Sequence, residues 1–336
     1  MKRFAVFLFI LSLVAGASWA QSFDQFQSAF QTFSGQMASS LAVNSTIGLT
    51  WSDASLGSFP HFGAGLNAGA AFTGKDTASP LFEALGKTAP SELDQFGIPI
   101  PAVVASAKIG LPFLGMDIGV KGGIIWPELA DSLRSTSGVS AEYKNLGAQI
   151  RLPILRDEGF IPAVSLGFGA SYQQGRIQAS IGTGDTTIID QTINSVHWIV
   201  TASDPLLDLG WESMIYDGSL QVSKKLFGFL TPYAGVGYSF GSSTVTGGVA
   251  SDLMFDNGSG PGSGTYEELV ADIEADGGTA PALSATGFTY TTANTDPVLR
   301  LYGGLSVKLI VVLDLGVMYV PASGNFGASA MLRFQL

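Results

Sequence analysis

Nine charged residues recur at one position of a two-residue repeat, in segments whose alternate positions are apolar. They are Lys108, Asp117, Lys121, Arg151, Asp217, Arg300, Lys308, Asp314 and Arg333. Because a period of two places alternate residues on opposite faces of a β-strand, we predict that these charges share one face of their strands. Most of them are cations, so that face is mildly basic. Two interpretations stay open: the face favours anionic solutes, or its charges pair across neighbouring strands and fill the interior.

A weaker indication of metal chemistry comes from residues 272–277. Asp272, Glu274 and Asp276 precede Gly277, as at the start of a calcium-binding loop. The twelfth position of such a loop would be Leu283, where a bidentate Glu is required. A solvated acidic loop is therefore the main interpretation, and loose calcium binding is the alternative.

A hydrolytic site would have to use one of the two histidines, His61 and His197. Neither lies in a recognisable nucleophile motif. His197 could pair with Asp190 or Asp204, but any long acidic loop offers such pairs. We therefore predict that the chain is not an enzyme, and no cofactor is indicated.

The first twenty residues and the charge balance indicate an exported, acidic protein. Lys2 and Arg3 precede a run of about 13 apolar residues, and small residues follow at Ala17 and Ala20, which predicts a signal peptide over residues 1–20. Removal of the two basic residues takes the formal net charge from −11 to −13, which argues against a nucleic-acid partner. The chain has no cysteine, so neither disulfides nor thiolate metal sites are available.

From residue 43 onward, the hydrophobic pattern has a period of two in segments of roughly ten residues. In LRLYGGLSVKL (299–309), Leu299, Leu301, Leu305 and Val307 alternate with Arg300, Tyr302, Ser306 and Lys308. Similar segments occupy residues 45–51, 61–72, 115–122, 145–152, 164–173, 233–241, 311–320 and 325–336. No run of 18 apolar residues follows residue 20. Alternating segments of this length predict an all-β fold, a transmembrane antiparallel β-barrel with apolar residues toward lipid and polar residues toward the lumen.

The connections between these segments fall into a short and a long class. The short connections are residues 111–115, 153–162, 224–232 and 308–311, and the long ones are 75–100, 126–138, 182–210 and 256–297. Barrels of bacterial outer membranes combine short periplasmic turns with long extracellular loops. We predict a barrel over residues 42–336 with about twelve strands, and ten to fourteen are allowed. Because eleven segments are clear, either residues 194–202 supply another strand, or an N-terminal helix rises through the lumen and delivers the chain to the top.

An amphipathic helix is predicted over residues 21–41. Phe23, Phe26, Phe30, Phe33, Met37 and Leu41 are spaced three or four residues apart. This spacing places them in one apolar stripe, opposite a face of Gln and Ser. The helix would either plug the barrel by lying against an apolar patch of its lumen, or lie on the periplasmic face of the membrane.

The final strand, with Phe334 two residues before the C-terminus, resembles the terminal strand signal of bacterial outer-membrane barrels. Together, the signal peptide, the plug-like helix, the long barrel and the C-terminal Phe are similar in architecture to outer-membrane long-chain fatty-acid and hydrocarbon transporters. The resemblance implies the outer membrane of a Gram-negative-type (diderm) bacterium, passage of small or apolar molecules, and outer-membrane lipid and the barrel-assembly machinery as partners. The first five residues of the stripe, Phe23 to Met37, would then line or gate the ligand path. A structural or adhesive barrel that acts through its extracellular loops is the alternative.

Overall fold

The structure of the chain is a computed structural model that describes residues 23–54, 59–77, 79–84, 91–112, 115–125, 139–180, 185–278, 282–284 and 287–336. The predicted signal peptide, residues 1–20, and the predicted loop 126–138 lie outside the described residues.

Four helices and thirteen strands form the described part of the chain. The helices are α1 (Phe23–Asn44), α2 (Ser79–Ala84), α3 (Ser91–Phe96) and α4 (Tyr266–Ala275). The strands are β1 (Phe62–Phe72), β2 (Pro99–Gly110), β3 (Asp117–Ile124), β4 (Val139–Leu155), β5 (Ala163–Ser180), β6 (Asp185–Ile193), β7 (Val196–Ser223), β8 (Leu230–Asp256), β9 (Ala282–Ser284), β10 (Gly287–Asn294), β11 (Val298–Lys308), β12 (Val312–Tyr319) and β13 (Phe326–Gln335). None of the described helices is long and apolar enough to cross a membrane.

Ten of these strands close into an antiparallel barrel in the order β1-β2-β3-β4-β5-β7-β8-β11-β12-β13, and β13 pairs with β1. The predicted barrel is confirmed, and its ten strands lie within the predicted range of ten to fourteen, two fewer than the preferred twelve. Residues 194–202 are not a separate wall strand, because they belong mainly to β7, which is 28 residues long and continues past the barrel. There it pairs with β6, while the extension of β8 pairs with β10.

The prediction of a first strand over residues 45–51 is wrong. These residues follow α1 as a series of turns, in which Ile47 N donates to Asn44 O at 3.1 Å and Leu49 N donates to Thr46 O at 3.1 Å. Gly48 has a positive φ of 89°, which permits this path. The segment lies inside the barrel and is surrounded on all sides, so the alternation of its residues carries no information about two faces. The first wall strand begins at Phe62 rather than at residue 42.

The exposure of side chains alternates along the barrel wall as the sequence predicts. In β11, Leu299 and Leu301 are each 48% exposed, whereas Arg300 between them is 1% exposed. On the outer face of β5, the apolar residues end at Tyr172, and Gln174 and Arg176 follow. A closed barrel with an apolar band outside and polar residues inside satisfies its backbone groups in hydrocarbon. The chain therefore spans the outer membrane, as predicted.

Short turns lie at one end of the barrel and longer excursions at the other. The short turns join β2 to β3, β4 to β5, β7 to β8 and β11 to β12, so this end is periplasmic. Lys224 links two of them by donating to Gly159 O at 2.6 Å and by an ion pair with Asp157. Burial would raise the pKa of Asp157, but its hydrogen bonds from Lys224 and Lys225 and their charges hold it below its usual value.

The chain from Phe23 to Ala54 runs through the barrel, and we name these residues the plug. At the extracellular end, Asn325 Nδ2, in the link between β12 and β13, donates to Gln36 O at 2.7 Å. At the periplasmic end, Asp53 pairs with Arg333 at 2.8 Å. The predicted plug therefore lies in the lumen and not on the periplasmic membrane face. The alternative of a rising helix is wrong, because the chain descends through the lumen and enters β1 from the periplasmic side.

This direction predicts that the start of α1 is reached from outside the cell. Because the chain has no cysteine, single variants can report topology. We expect a membrane-impermeant maleimide to label S28C on intact cells, since Ser28 is exposed near the extracellular end of α1. F160C, in the fully exposed β4–β5 turn, should be labelled only after the outer membrane is permeabilised. The reverse pattern would contradict the orientation.

Candidate functional site

The end of α1 lies inside the lumen, where backbone carbonyls of the plug accept hydrogen bonds from donors of the wall. A helix leaves its last four carbonyls without partners in the helix, and the aligned peptide dipoles make this end negative. The last turn of α1 has no basic residue of its own. Cations of the barrel wall bind the turns that follow the helix.

Two buried lysines bind carbonyls of the turns that follow α1, at residues 45–49. Lys121 on β3 donates to Ser45 O at 2.6 Å and to Ile47 O at 2.9 Å. Lys108 on β2 donates to Leu49 O and to the wall residue Gln149 at 3.1 Å. Both lysines are less than 5% exposed. Burial of an ammonium group is costly unless hydrogen bonds compensate it, so Lys121 depends on the plug for both of its acceptors and Lys108 for one of two.

Neutral side chains extend this contact around the barrel. Donors on β5 and β7 bond plug carbonyls, and plug side chains bond the wall in return. The bonds are Gln173 to Leu41 O at 2.6 Å, Ser171 to Ser45 O at 2.9 Å, Gln221 to Trp51 O at 2.7 Å, Asn44 to Ile100 O at 2.8 Å, and Ser52 to Ser306 at 2.9 Å. The plug is thus bound to several sides of the wall at once.

The remaining wall charges form ion pairs. Arg151 and Asp117 are opposite each other on β4 and β3 and make two hydrogen bonds of 2.8 Å. Arg300 makes a similar two-point contact with Asp217, with 3.0 Å between Nη2 and Oδ1. Gly237 makes room for this pair, because a Cβ there would lie 2.4 Å from Arg300 Cζ. Paired in this way, the wall charges occupy the lumen together with the plug.

Arg333 on β13 joins the plug to the wall. Its Nη2 bonds Asp53 of the plug at 2.8 Å and Ser52 at 2.7 Å, while Nη1 lies 3.3 Å from Asp314 on β12. Its guanidinium carbon lies 4.6 Å from the ring centroid of Trp51, in the range of a cation–π contact. Asp53 and Trp51 are contact residues of the plug that the sequence analysis did not single out, because residues from 42 onward were interpreted as the barrel wall.

Eight of the nine charges predicted to face the lumen are buried there. Their exposed fractions run from 1% to 8%, for Lys108, Asp117, Lys121, Arg151, Asp217, Arg300, Asp314 and Arg333. Lys308 is the exception: its side chain is exposed, because it lies at the periplasmic end of β11. The basic excess of the wall is taken up by the carbonyls and by Asp53 of the plug.

The apolar stripe of α1 packs at the extracellular end of the lumen. Phe30 and Phe33 are fully buried and Met37 is 2% exposed. The Phe30 ring lies 6.1 Å from that of Phe33 and 6.3 Å from that of Tyr290 on β10. Phe23 and Phe26 also belong to α1, but their side chains are outside the described part of the structure.

The predicted acidic group of residues 272–276 does not form a metal-binding loop in the described residues. Asp272 and Glu274 lie in α4 and Asp276 is its C-cap, so the calcium-loop interpretation is wrong. Asp272 instead accepts hydrogen bonds from Asn194 and Trp198, each at 2.9 Å. No group of three metal-ligating side chains occurs in the described residues.

The two histidines lie far apart, and one of the two carboxylates proposed as partners of His197 lies beside it. His197 Nε2 lies 3.3 Å from Asp190 Oδ1 across β6 and β7, and both side chains are half exposed. His61 precedes β1 at the periplasmic end, where its carbonyl accepts from Gly110 N at 2.8 Å. The two histidines are therefore at opposite ends of the barrel.

No family model matches the chain, and no curated protein matches it. Among solved structures, it is similar to the outer membrane protease OmpT of Escherichia coli, with 8% identity and a TM-score of 0.38 over 82% of this chain and 97% of that one. It is also similar to the translocator domain of the autotransporter NalP of Neisseria meningitidis (11%, TM-score 0.27, 95% and 98% covered) and to a FadL homologue of Pseudomonas aeruginosa (8%, 0.22, 82% and 88%). These likenesses concern barrel architecture alone, and resemblance to a fatty-acid transporter is one among several.

Removal of one wall lysine should loosen the plug. In K121M, Ile47 O loses this donor, and Ser45 O loses one of its donors. A buried polar group left without a partner costs about 1–3 kcal/mol of stability. We expect a lower urea midpoint in detergent micelles, followed by tryptophan fluorescence. K144M is the matched control, because Lys144 on β4 is exposed on the outer face. Equal midpoints for the two variants would show that Lys121 does not hold the plug.

Proposed function

We propose that the protein is a closed outer-membrane barrel that works at the cell surface, by binding a partner through its extracellular part. The observation that carries the proposal is the filled lumen. Lysines, amides and a hydroxyl of the wall bond the second part of the plug, from Leu41 to Ser52. A barrel held in this way anchors the chain and leaves the extracellular part as the accessible surface.

The extracellular part is a folded unit, which we name the platform. It comprises β6, β9, β10, α4 and the parts of β7 and β8 beyond the barrel. Trp198, Val200 and Leu269 in its interior are at most 1% exposed. Asp272 of α4 bonds Trp198 Nε1, which fixes the helix on β7. Such a packed unit supplies a rigid binding surface rather than a loose loop.

The charge of the platform suggests the chemistry of its partner. The sequence has no Lys or Arg between residues 177 and 223, or between 226 and 299, but has many carboxylates there. Complementary charge speeds encounter and excludes partners of like charge. The proposed partner is therefore a positively charged surface or polypeptide, and the proposal includes no catalysis.

Gated passage of solutes is the second candidate. It is favoured by the two wall lysines, which would lose their carbonyl partners if the plug withdrew. The emptied wall would then hold five cations against three carboxylates among the eight buried charges. Such a lumen suits small anions better than apolar or fatty-acid-type molecules.

Conductance in planar bilayers separates a closed barrel from an open one. We expect the intact protein to be silent, because the plug and its bonded wall fill the lumen. A variant lacking residues 23–54 should conduct with a preference for anions. K108M/K121M serves as a second route to a loosened plug if the deletion variant does not fold. Steady conductance of the intact protein would contradict the proposal.

A tether distinguishes surface binding from gated passage. Ser52 Oγ and Ser306 Oγ lie 2.9 Å apart, so S52C/S306C can join the plug to the wall by a disulfide. T246C/T291C places a control disulfide in the platform, where the hydroxyls are 3.3 Å apart. Binding of a lysine-rich peptide should survive the plug tether and weaken with salt. Uptake of a solute that is lost only with the plug tether would favour gated passage.

A further inference from the structure

A groove of about 570 Å³ lies on the outer wall of the barrel, across β5, β7 and β8. Its sides are apolar and largely aromatic, and they are exposed. The side chains that frame it are Leu166, Phe168, Tyr216, Leu220, Tyr238 and Phe240. The rings of Tyr216 and Phe240 stack at its extracellular end, with centroids 5.6 Å apart.

The groove exists because of Gly218 on β7. In the strand register, Gly218 is opposite Phe168 on β5 and opposite Tyr238 on β8, so the row of three has rings at its ends and no side chain between them. The two flanking strands are roughly 10 Å apart, which is twice the spacing of neighbouring strands. Leu220, one row closer to the periplasm, forms the other end of the slot.

The fold does not require glycine at this position. A Cβ on Gly218 would meet nothing closer than Tyr238 O at 4.0 Å. In contrast, a Cβ on the inward Gly237 would collide with Arg300. The open space at Gly218 is therefore not explained by packing within the chain.

The position of the slot decides what occupies it. On the outer face of β7, Gly218 lies midway between Met214, beyond which Glu212 begins the polar region, and Val222 near the periplasmic turn. The slot is thus continuous with the lipid-facing band and lies near its middle, where the surroundings are hydrocarbon. We infer that it is a binding site for one acyl chain of an outer-membrane phospholipid, held between Phe168 and Tyr238 beneath the Tyr216–Phe240 stack.

Packing supplies the preference for this site over the rest of the wall. Lipid tails are as apolar as the residues that they touch, so burial from water contributes nothing between sites in the membrane. Close contact on several sides gains dispersion energy that a flat wall does not offer. An acyl chain in the slot touches rings on both sides and backbone at the floor.

Photolabelling tests the site on the full chain. The protein is reconstituted in nanodiscs of phosphatidylethanolamine that include a fraction with a diazirine in the middle of one acyl chain. After irradiation, labelled peptides are mapped by mass spectrometry. We expect labelling at Phe168 and Tyr238 to exceed that at Leu66 severalfold. Leu66 is 69% exposed on β1, on the opposite side of the barrel.

Filling the slot supplies the matched comparison. G218L should abolish the excess labelling at Phe168 and Tyr238 over Leu66, whereas G122L should leave that excess unchanged. Gly122 also faces outward, on β3, and a Cβ there makes only an ordinary contact of 3.5 Å with Leu146. G218A, with a smaller side chain, is used if G218L does not fold. Even labelling around the barrel, or an excess that persists in folded G218L, would overturn the proposal. Barrel dimers that form through this face and are lost in G218L would also overturn it.

Discussion

The structure depends on the contact between wall donors and the backbone carbonyls of the plug, at the end of α1 and in the turns that follow it. Lys121 on β3 and Lys108 on β2 reach carbonyls of the turns just beyond α1, whose own last turn has no basic residue. The dependence is mutual: without Lys121 the buried Ile47 O loses this donor, and without the plug Lys121 loses both of its acceptors. This mutual dependence explains how a narrow barrel with a charged interior can be filled by a segment that is almost uncharged.

The same segment connects the two ends of the molecule. At its extracellular end, Phe30 packs against Tyr290 of the platform, and at its periplasmic end Asp53 pairs with Arg333. The plug is thus part of the cores of both the barrel and the platform. A partner that binds the platform would act on a surface already joined to the wall, which favours a stable anchor over a mobile gate.

Much of the wall could be predicted from the sequence, because strands that face lipid on one side and polar groups on the other repeat every two residues. The exposure of Leu299 and Leu301 and the burial of Arg300 between them follow from this rule. Residues 45–51 show the limit of the rule: a segment buried on all sides can alternate by chance. The bond from Lys121 to Ser45 O joins residues 76 positions apart, and no local pattern specifies it. The preferred count of twelve exceeds the observed ten because residues 45–51 and 194–202 do not form wall strands of their own.

Hydrogen exchange of the plug measured by mass spectrometry tests the central claim most directly. If the wall holds the plug, amides of peptides covering residues 37–44 should exchange as slowly as those of the wall strand β13, in the intact protein in nanodiscs. The exposed turn around Phe160 provides the fast reference. Exchange of the plug at the rate of that turn would contradict the account, because it would show a lumen in which α1 is not bound.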